Sequence, residues 1–280
     1  GEFQDSHGER IGPEVAQTDR QDTETVDVNG RLSWQFTDNQ KLSFGAQYYN
    51  DEQDSEYGPD YGTGLAVLFG AEPTLDAVKG LDLDTQPRTK RSNFNLQYEH
   101  QDLLGQILNA EAYYRSETGR FYPSANYLAH SAIPSGGTYI VTQSETDIDV
   151  WGARLALQKA FDLGSRSLNL TYGMDYDFEQ GSQTAQQYNL ATFMASNGLT
   201  LDPQNEYVFG PDVDTSKFGL FLQTQFDVTD RLNLQAGIRH ERIDSEVQDS
   251  IPYSEAMVAD AIPTYTPVAL NGGTIKQDAT

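Results

Sequence analysis

A chain of 280 residues with 42 Asp and Glu against 18 Lys and Arg carries a formal net charge of −24, which argues against a nucleic-acid partner, because phosphate neutralisation needs clustered cations. Cys is absent, so disulfides, thiolate metal sites and Cys catalysis are excluded together. No apolar run approaches the ~18 residues a membrane helix needs, so a helical span is excluded and only strands could cross a bilayer.

Residues 1–26 are polar and acidic, broken at Gly12-Pro13, and read as a loop or edge segment. The opening GEFQDS shows no secretory signal. Four hairpins follow within residues 27–247. The first alternates Leu32, Trp34 and Phe36 with polar residues, turns through residues 37–40, and returns with Leu42, Phe44, Ala46 and Tyr48. Residues 50–90 are a long polar connection, with a short helix expected near residues 73–78.

The second hairpin carries Phe94, Leu96 and Tyr98, a turn at residues 102–105, then Leu108, Ala110, Ala112 and Tyr114. Residues 116–146 read as another long loop. The third runs through Trp151, Ala153, Leu155 and Leu157, turns at residues 162–165, and returns through Leu168, Leu170, Tyr172, Met174 and Tyr176. Residues 179–215 lead to the fourth, where Phe218, Leu220, Leu222 and Phe226 precede a turn at residues 227–231 and the return of Leu232, Leu234, Ala236 and Ile238. Residues 248–280 read as a truncated extracellular loop.

Short turns thus fall on one side of four hairpins and long loops on the other. Long structureless loops are uncommon in compact domains, whereas outer-membrane barrels combine short periplasmic turns with long extracellular loops, an apolar exterior and a polar lumen. The expected fold is all-β, an antiparallel transmembrane β-barrel segment of about eight strands. A small eight-stranded adhesion or binding barrel and a soluble β-rich carbohydrate-binding domain are the alternatives.

Two stretches carry a resemblance. Residues 48–62, YYNDEQDSEYGPDYG, resemble a strand and outer loop of TonB-dependent ferric siderophore receptors, particularly the ferric aerobactin type, and residues 219–239, GLFLQTQFDVTDRLNLQAGIR, are similar to a hairpin common across that family. The resemblance implies a 22-stranded barrel with an N-terminal plug, in the bacterial outer membrane, importing a ferric siderophore with energy relayed by TonB through the plug. Its partners are then the ferric siderophore, the TonB complex and outer-membrane lipid. The chelate is cargo, no cofactor is expected, and no enzyme is implied. The chain shows no plug and no closing strand, so an internal piece of such a barrel is expected.

An iron chelate presents anionic oxygens, which Arg binds through bidentate, charge-assisted bonds while Tyr packs on the linker. The candidate ligand residues are therefore Arg115, Arg120, Tyr113 and Tyr122 at one strand-to-loop junction, Tyr49, Tyr57 and Tyr61 at another, and Arg88 where the first long loop re-enters the barrel. Tyr at strand ends also serves as interface girdle. Lumen Arg also pairs with lumen carboxylates such as Glu111 or Asp175, and Arg239 and Arg242 are expected to do so. The carboxylates at Asp82 and Asp84, Asp147 and Asp149, and Asp212 and Asp214 lack EF-hand spacing, and the four His show no metal-ligand spacing. No nucleophile elbow, P-loop or dinucleotide fingerprint occurs.

Overall fold

The computed structural model describes residues 2–10, 20–56, 79–164, 166–229 and 231–279, with side chains described from residue 22 onward. The four expected hairpins are present. They are β2 (Arg20–Thr37) with β3 (Gln40–Ser55), β4 (Arg88–His100) with β5 (Ile107–Arg120), β7 (Gly137–Leu163) with β8 (Arg166–Tyr188), and β10 (Val213–Thr229) with β11 (Leu232–Val247). Each pair is antiparallel, with closing pairs Thr37↔Gln40, His100↔Leu108, Leu163↔Arg166 and Thr229↔Leu232 and a one-residue irregularity just before the first and fourth turns. The sheet pairs β3 with β4, β5 with β7 and β8 with β10, so all four turns lie at one end.

Turn chemistry explains the second turn. The Asp102 carboxylate accepts the Gly105 N–H at 3.0 Å while Gly105 takes φ +74°, a conformation open to a residue without Cβ.

Four further strands lie in segments whose sequence reads as loop: β1 (Glu2–Arg10), β6 (Ser124–Ala129), β9 (Pro203–Val208) and β12 (Gly273–Ala279). The described sheet therefore has twelve strands rather than eight, ten of them in the order β1-β2-β3-β4-β5-β7-β8-β10-β11-β12, with β6 on β7 and β9 on β8. Among the described residues two helices, α1 (Leu190–Ala195) and α2 (Tyr253–Ala261), sit in the connections. The Asn189 side chain caps α1 by accepting the Thr192 N–H at 3.1 Å. The helix expected near residues 73–78 lies outside the described residues.

Cross-strand register aligns the apolar positions into rows. One row runs Leu32, Phe44, Leu96, Ala112, Ala153, Tyr176, Phe218. On β8 the apolar phase is Leu168, Leu170, Tyr172, Met174, Tyr176 and Phe178. At ~3.3 Å per residue that stretch covers about 33 Å, and a strand tilt near 45° projects it to roughly 25 Å, the height of an outer-membrane apolar band. Leu32, Trp34, Trp151, Leu220, Leu234 and Ile238 are all exposed. So wide an apolar face is foreign to a water-solvated monomer and natural against lipid. No described helix is long and apolar enough to cross a membrane; crossing falls to the strands.

A strand crosses the band in about 9–11 residues, yet β7 has 27 and β8 has 23. The excess stands beyond the band at the end opposite the tight turns. Here the two small cores of the described residues form, one on each face. Val141, Tyr188, Leu83, Leu201 and Phe193 of α1 cluster on the phase shared with Trp151. Ile140, Tyr207 and Met257 of α2 cluster on the opposite phase.

Candidate functional site

The face opposite the apolar one carries the lumen-type residues in register. Its outermost row within the band is Asn93, Arg115, Val150, Glu179, Thr215. The next inward is Asn95, Tyr113, Gly152, Asp177, Lys217, and the next Gln97, Glu111, Arg154, Asp175, Gly219.

Side chains across these rows engage most of the cations, some by ion pairs and some by neutral partners. Arg239 makes a bidentate pair with Asp175 at 2.7 and 2.8 Å and reaches Glu241 at 2.9 Å. Arg91 pairs with Glu117 at 3.0 Å, Lys41 with Glu99 at 3.6 Å, and Lys217 with Glu179 at 3.9 Å. Arg31 donates to Gln97 at 2.8 Å. The Tyr113 hydroxyl donates to Asp177 and accepts from Arg154 at 3.3 Å, whose guanidinium lies 5.2 Å from the ring centroid.

Arg115 differs from all of these. It is exposed, and among the described residues it has no hydrogen bond or ion pair. It borders a recess of about 370 Å³ lined also by Asn93, Tyr113, Arg154, Asp177 and Lys217. An unpaired guanidinium, next to an Arg154 engaged by Tyr113 and a Lys217 paired with Glu179, offers two parallel N–H donors to an incoming planar oxyanion.

The other sequence candidates divide. Tyr49 shares the polar face, with the Arg91 guanidinium 5.8 Å from its ring centroid. Arg120 stands five residues from Arg115 on β5, so strand alternation turns it to the opposite face. There Arg120 pairs with Glu145 at 2.6 Å, and Arg88 approaches the same carboxylate at 3.8 Å. Around them Gln143 donates to the Thr85 and Phe121 carbonyls at 2.9 and 2.8 Å, and the Tyr188 hydroxyl donates to Gln143 at 2.6 Å. Arg88 and Arg120 therefore brace the returning loop against β7 and β8.

Tyr122 lies just beyond β5, half-buried next to buried Pro123. Tyr57 and Tyr61 lie outside the described residues. The structure thus brings Arg115 and Tyr113 together, with Tyr49 farther out on the same face, and separates Arg88 and Arg120 from them. Arg239 pairs with Asp175 as expected, but Arg242 shares the phase of Ile238 and His240 and pairs with Asp244 at 2.9 Å on the outward face. Asn93, Arg154 and Asp177 were not singled out from the sequence. Their signal was their place on the polar phase, usable only once register between hairpins is known.

A second polar cluster ties the segment around α2 to the β6–β7 connection. The Glu255 carboxylate accepts from the Tyr265 hydroxyl at 2.5 Å and the Val268 N–H at 2.9 Å, and lies 3.2 Å from His130 Nε2. The Tyr265 hydroxyl foremost, then the Val268 N–H and His130, hold the Glu255 carboxyl below its ordinary range, while hydrogen bonding to Glu255 raises the Tyr265 hydroxyl. A depressed carboxylate contributes stability above its unfolded value and loses it as pH falls through its folded value. For a raised phenol the contribution is lost as pH climbs through the folded value. Amide-exchange protection of residues 253–268 is therefore expected to hold from just above the glutamate range up to the tyrosine range and to fall on either side. In Glu255→Gln the acid-side loss should vanish; an unchanged acid profile would exclude Glu255 as its origin.

Comparison with known proteins bears on the whole wall. Residues 29–269 match the family model described as TonB dependent receptor-like, beta-barrel. The chain is 30% identical to the rhizobactin receptor of Rhizobium meliloti, aligning over 100% of its own length and 36% of the relative's. It is 28% identical to the ferric aerobactin receptor of Klebsiella pneumoniae, over 99% of the chain and 37% of that receptor. It spans a little over a third of both relatives. Among solved structures, the ferric-catecholate import receptor Fiu from E. coli K12 superposes with TM-score 0.62 at 12% identity, covering 99% of this chain and 45% of Fiu. The ferripyoverdine receptor of Pseudomonas aeruginosa gives TM-score 0.56 at 15% identity, covering 98% and 34%. Likenesses at such identity speak for the fold.

Proposed function

Since this chain belongs to the TonB-dependent receptor-like β-barrel family, we propose that the protein carrying it imports a ferric siderophore of the hydroxamate and carboxylate class across the bacterial outer membrane, with TonB supplying the energy. The chain forms outer-membrane barrel wall, with its apolar rows toward lipid and the face bearing Arg115 toward the lumen. The plug that meets TonB belongs, in this reading, to the remainder of a 22-stranded barrel.

The observation that carries the ligand class is Arg115, which among the described residues is unpaired on a polar wall whose other described cations have partners. A guanidinium in that setting recognises a carboxylate or a hydroxamate oxygen pair. The names of the two curated relatives, a rhizobactin receptor and a ferric aerobactin receptor, support the same class. The wide apolar outward face disfavours a soluble carbohydrate-binding domain.

Uptake decides the matter. In iron-starved cells lacking the receptor, restoring the intact gene should restore uptake of radio-iron presented as ferric aerobactin, and only when TonB is present. Uptake no higher than in the deletion strain, for ferric aerobactin and for other carboxylate and hydroxamate chelates, would overturn the proposal.

A further inference from the structure

Four glycines of the polar face lie beneath long side chains reaching over from the neighbouring strand. Asn95 covers Gly45, Tyr113 covers Gly152, Phe221 covers Gly173, and Arg239 covers Gly219; a Cβ at any of them would fall on those atoms. By contrast, Gly30 and Gly119 have open space. A glycine opposite a large side chain lets that side chain lie along the sheet instead of standing away from it. The wall is thereby thinned where the glycines sit.

One of these positions borders Arg115. Tyr113 and Gly152 are direct cross-strand partners, and Asp177 is the next residue across, paired with Gly152 on β8. The Tyr113 ring crosses the bare Gly152 backbone and its hydroxyl reaches Asp177, with the Arg154 guanidinium 5.2 Å from the ring centroid. The hydroxyl end of the ring is thus held by Asp177 and Arg154, and the ring lies over Gly152 at the border of the recess that Arg115 also lines. Arg115 is two residues along the same strand on the same face, roughly 7 Å away by strand geometry. With any larger residue at 152 the ring could not reach Asp177 by this route. It would stand into the lumen beside Arg115.

We propose that Gly152 is a specificity-determining position: by stowing Tyr113 against the wall it opens the approach to Arg115 to a bulky metal chelate rather than to a small carboxylate alone. This rests on the reading of Arg115 as the anion contact. Tyr113 is then a positioned gatepost whose phenol is spent on Asp177 and whose flat ring borders the recess.

The test uses the intact receptor in detergent with ferric aerobactin as the probe. Gly152→Val should weaken binding by at least about tenfold, the scale at which pocket shape discriminates ligands. Tyr113→Ala combined with Gly152→Val should recover affinity to within about threefold of Tyr113→Ala alone, because the obstructing ring is gone. Independently of any ligand, a structure of Gly152→Val should show the Tyr113 hydroxyl released from Asp177. A wild-type receptor that binds neither ferric aerobactin nor any other ferric chelate of the carboxylate and hydroxamate class overturns the functional reading. Wild-type binding that Gly152→Val leaves unchanged, a loss that removing Tyr113 does not rescue, or a ring still seated over residue 152 overturns the inference alone.

Discussion

Replacing Arg115 with alanine in the intact receptor is expected to weaken ferric aerobactin binding by about 10- to 100-fold, the equivalent of losing charge-assisted hydrogen bonds worth roughly 1.5–3 kcal/mol. Arg115 has no hydrogen bond or ion pair to surrender among the described residues, so its removal should leave the fold intact and act on the ligand. Arg115→Lys should fall between, since it keeps the charge but loses the fork that grips two oxygens at once. Arg120→Ala is the matched comparison. Its side chain is turned to the other face and engaged with Glu145 at 2.6 Å, so its effect should appear in the stability of the returning loop. Titration of the three variants by intrinsic fluorescence quenching separates these outcomes, and an Arg115→Ala affinity equal to wild type sinks the assignment.

Leu220→Arg should be the most damaging single substitution considered for assembly. Leu220 is 46% exposed in the row Leu155, Met174, Leu220, near the middle of the apolar band. A guanidinium at the bilayer midplane of a barrel exterior costs about 2–4 kcal/mol. Gln223→Arg, three residues away on the polar phase, should cost less than about 1 kcal/mol, because its charge stays in water. Heat-modifiable mobility of the membrane-inserted barrel and its urea midpoint report both values. Equal behaviour of the two variants would reverse the face assignment on which the lumen reading depends.

Arg115 and Arg120 show how much of the site could be read in advance. Both are cations at the same strand-to-loop junction, and chemistry alone groups them. Because residues 116–146 read as loop, alternation could not be applied to Arg120; once β5 is seen to run to Arg120, the separation of five residues turns the two to opposite faces. Arg88 follows the same rule through its pairing with Arg120 in the ladder. The neighbours Asp177 and Lys217 could not be assigned to Tyr113 and Gly152 in this way. They come from other hairpins, and register between hairpins depends on connections whose geometry no local pattern encodes.

The loops show the complementary limit. Beyond the band, neighbouring residues Ile140 and Val141 of β7 are both buried, one against α2 and the other in the cluster containing α1. A strand covered on both faces loses the apolar-polar alternation that marks a half-buried strand. For that reason the outer part of β7 reads as loop, while β6 and β9 are six residues each and largely exposed, too short and too polar for alternation to mark them. Within the band the opposite holds: lipid on one side and water on the other impose strict alternation, and the tight turns follow from their own residues. The sequence by itself therefore determined the four hairpins, the side on which their turns lie and the apolar face of each strand within the band, because those are local consequences of a two-residue repeat at a boundary between two solvents. Only the tertiary structure decided which cations find partners, leaving Arg115 without one among the described residues, and that Tyr113 lies stowed over Gly152, because both depend on register between strands distant in sequence.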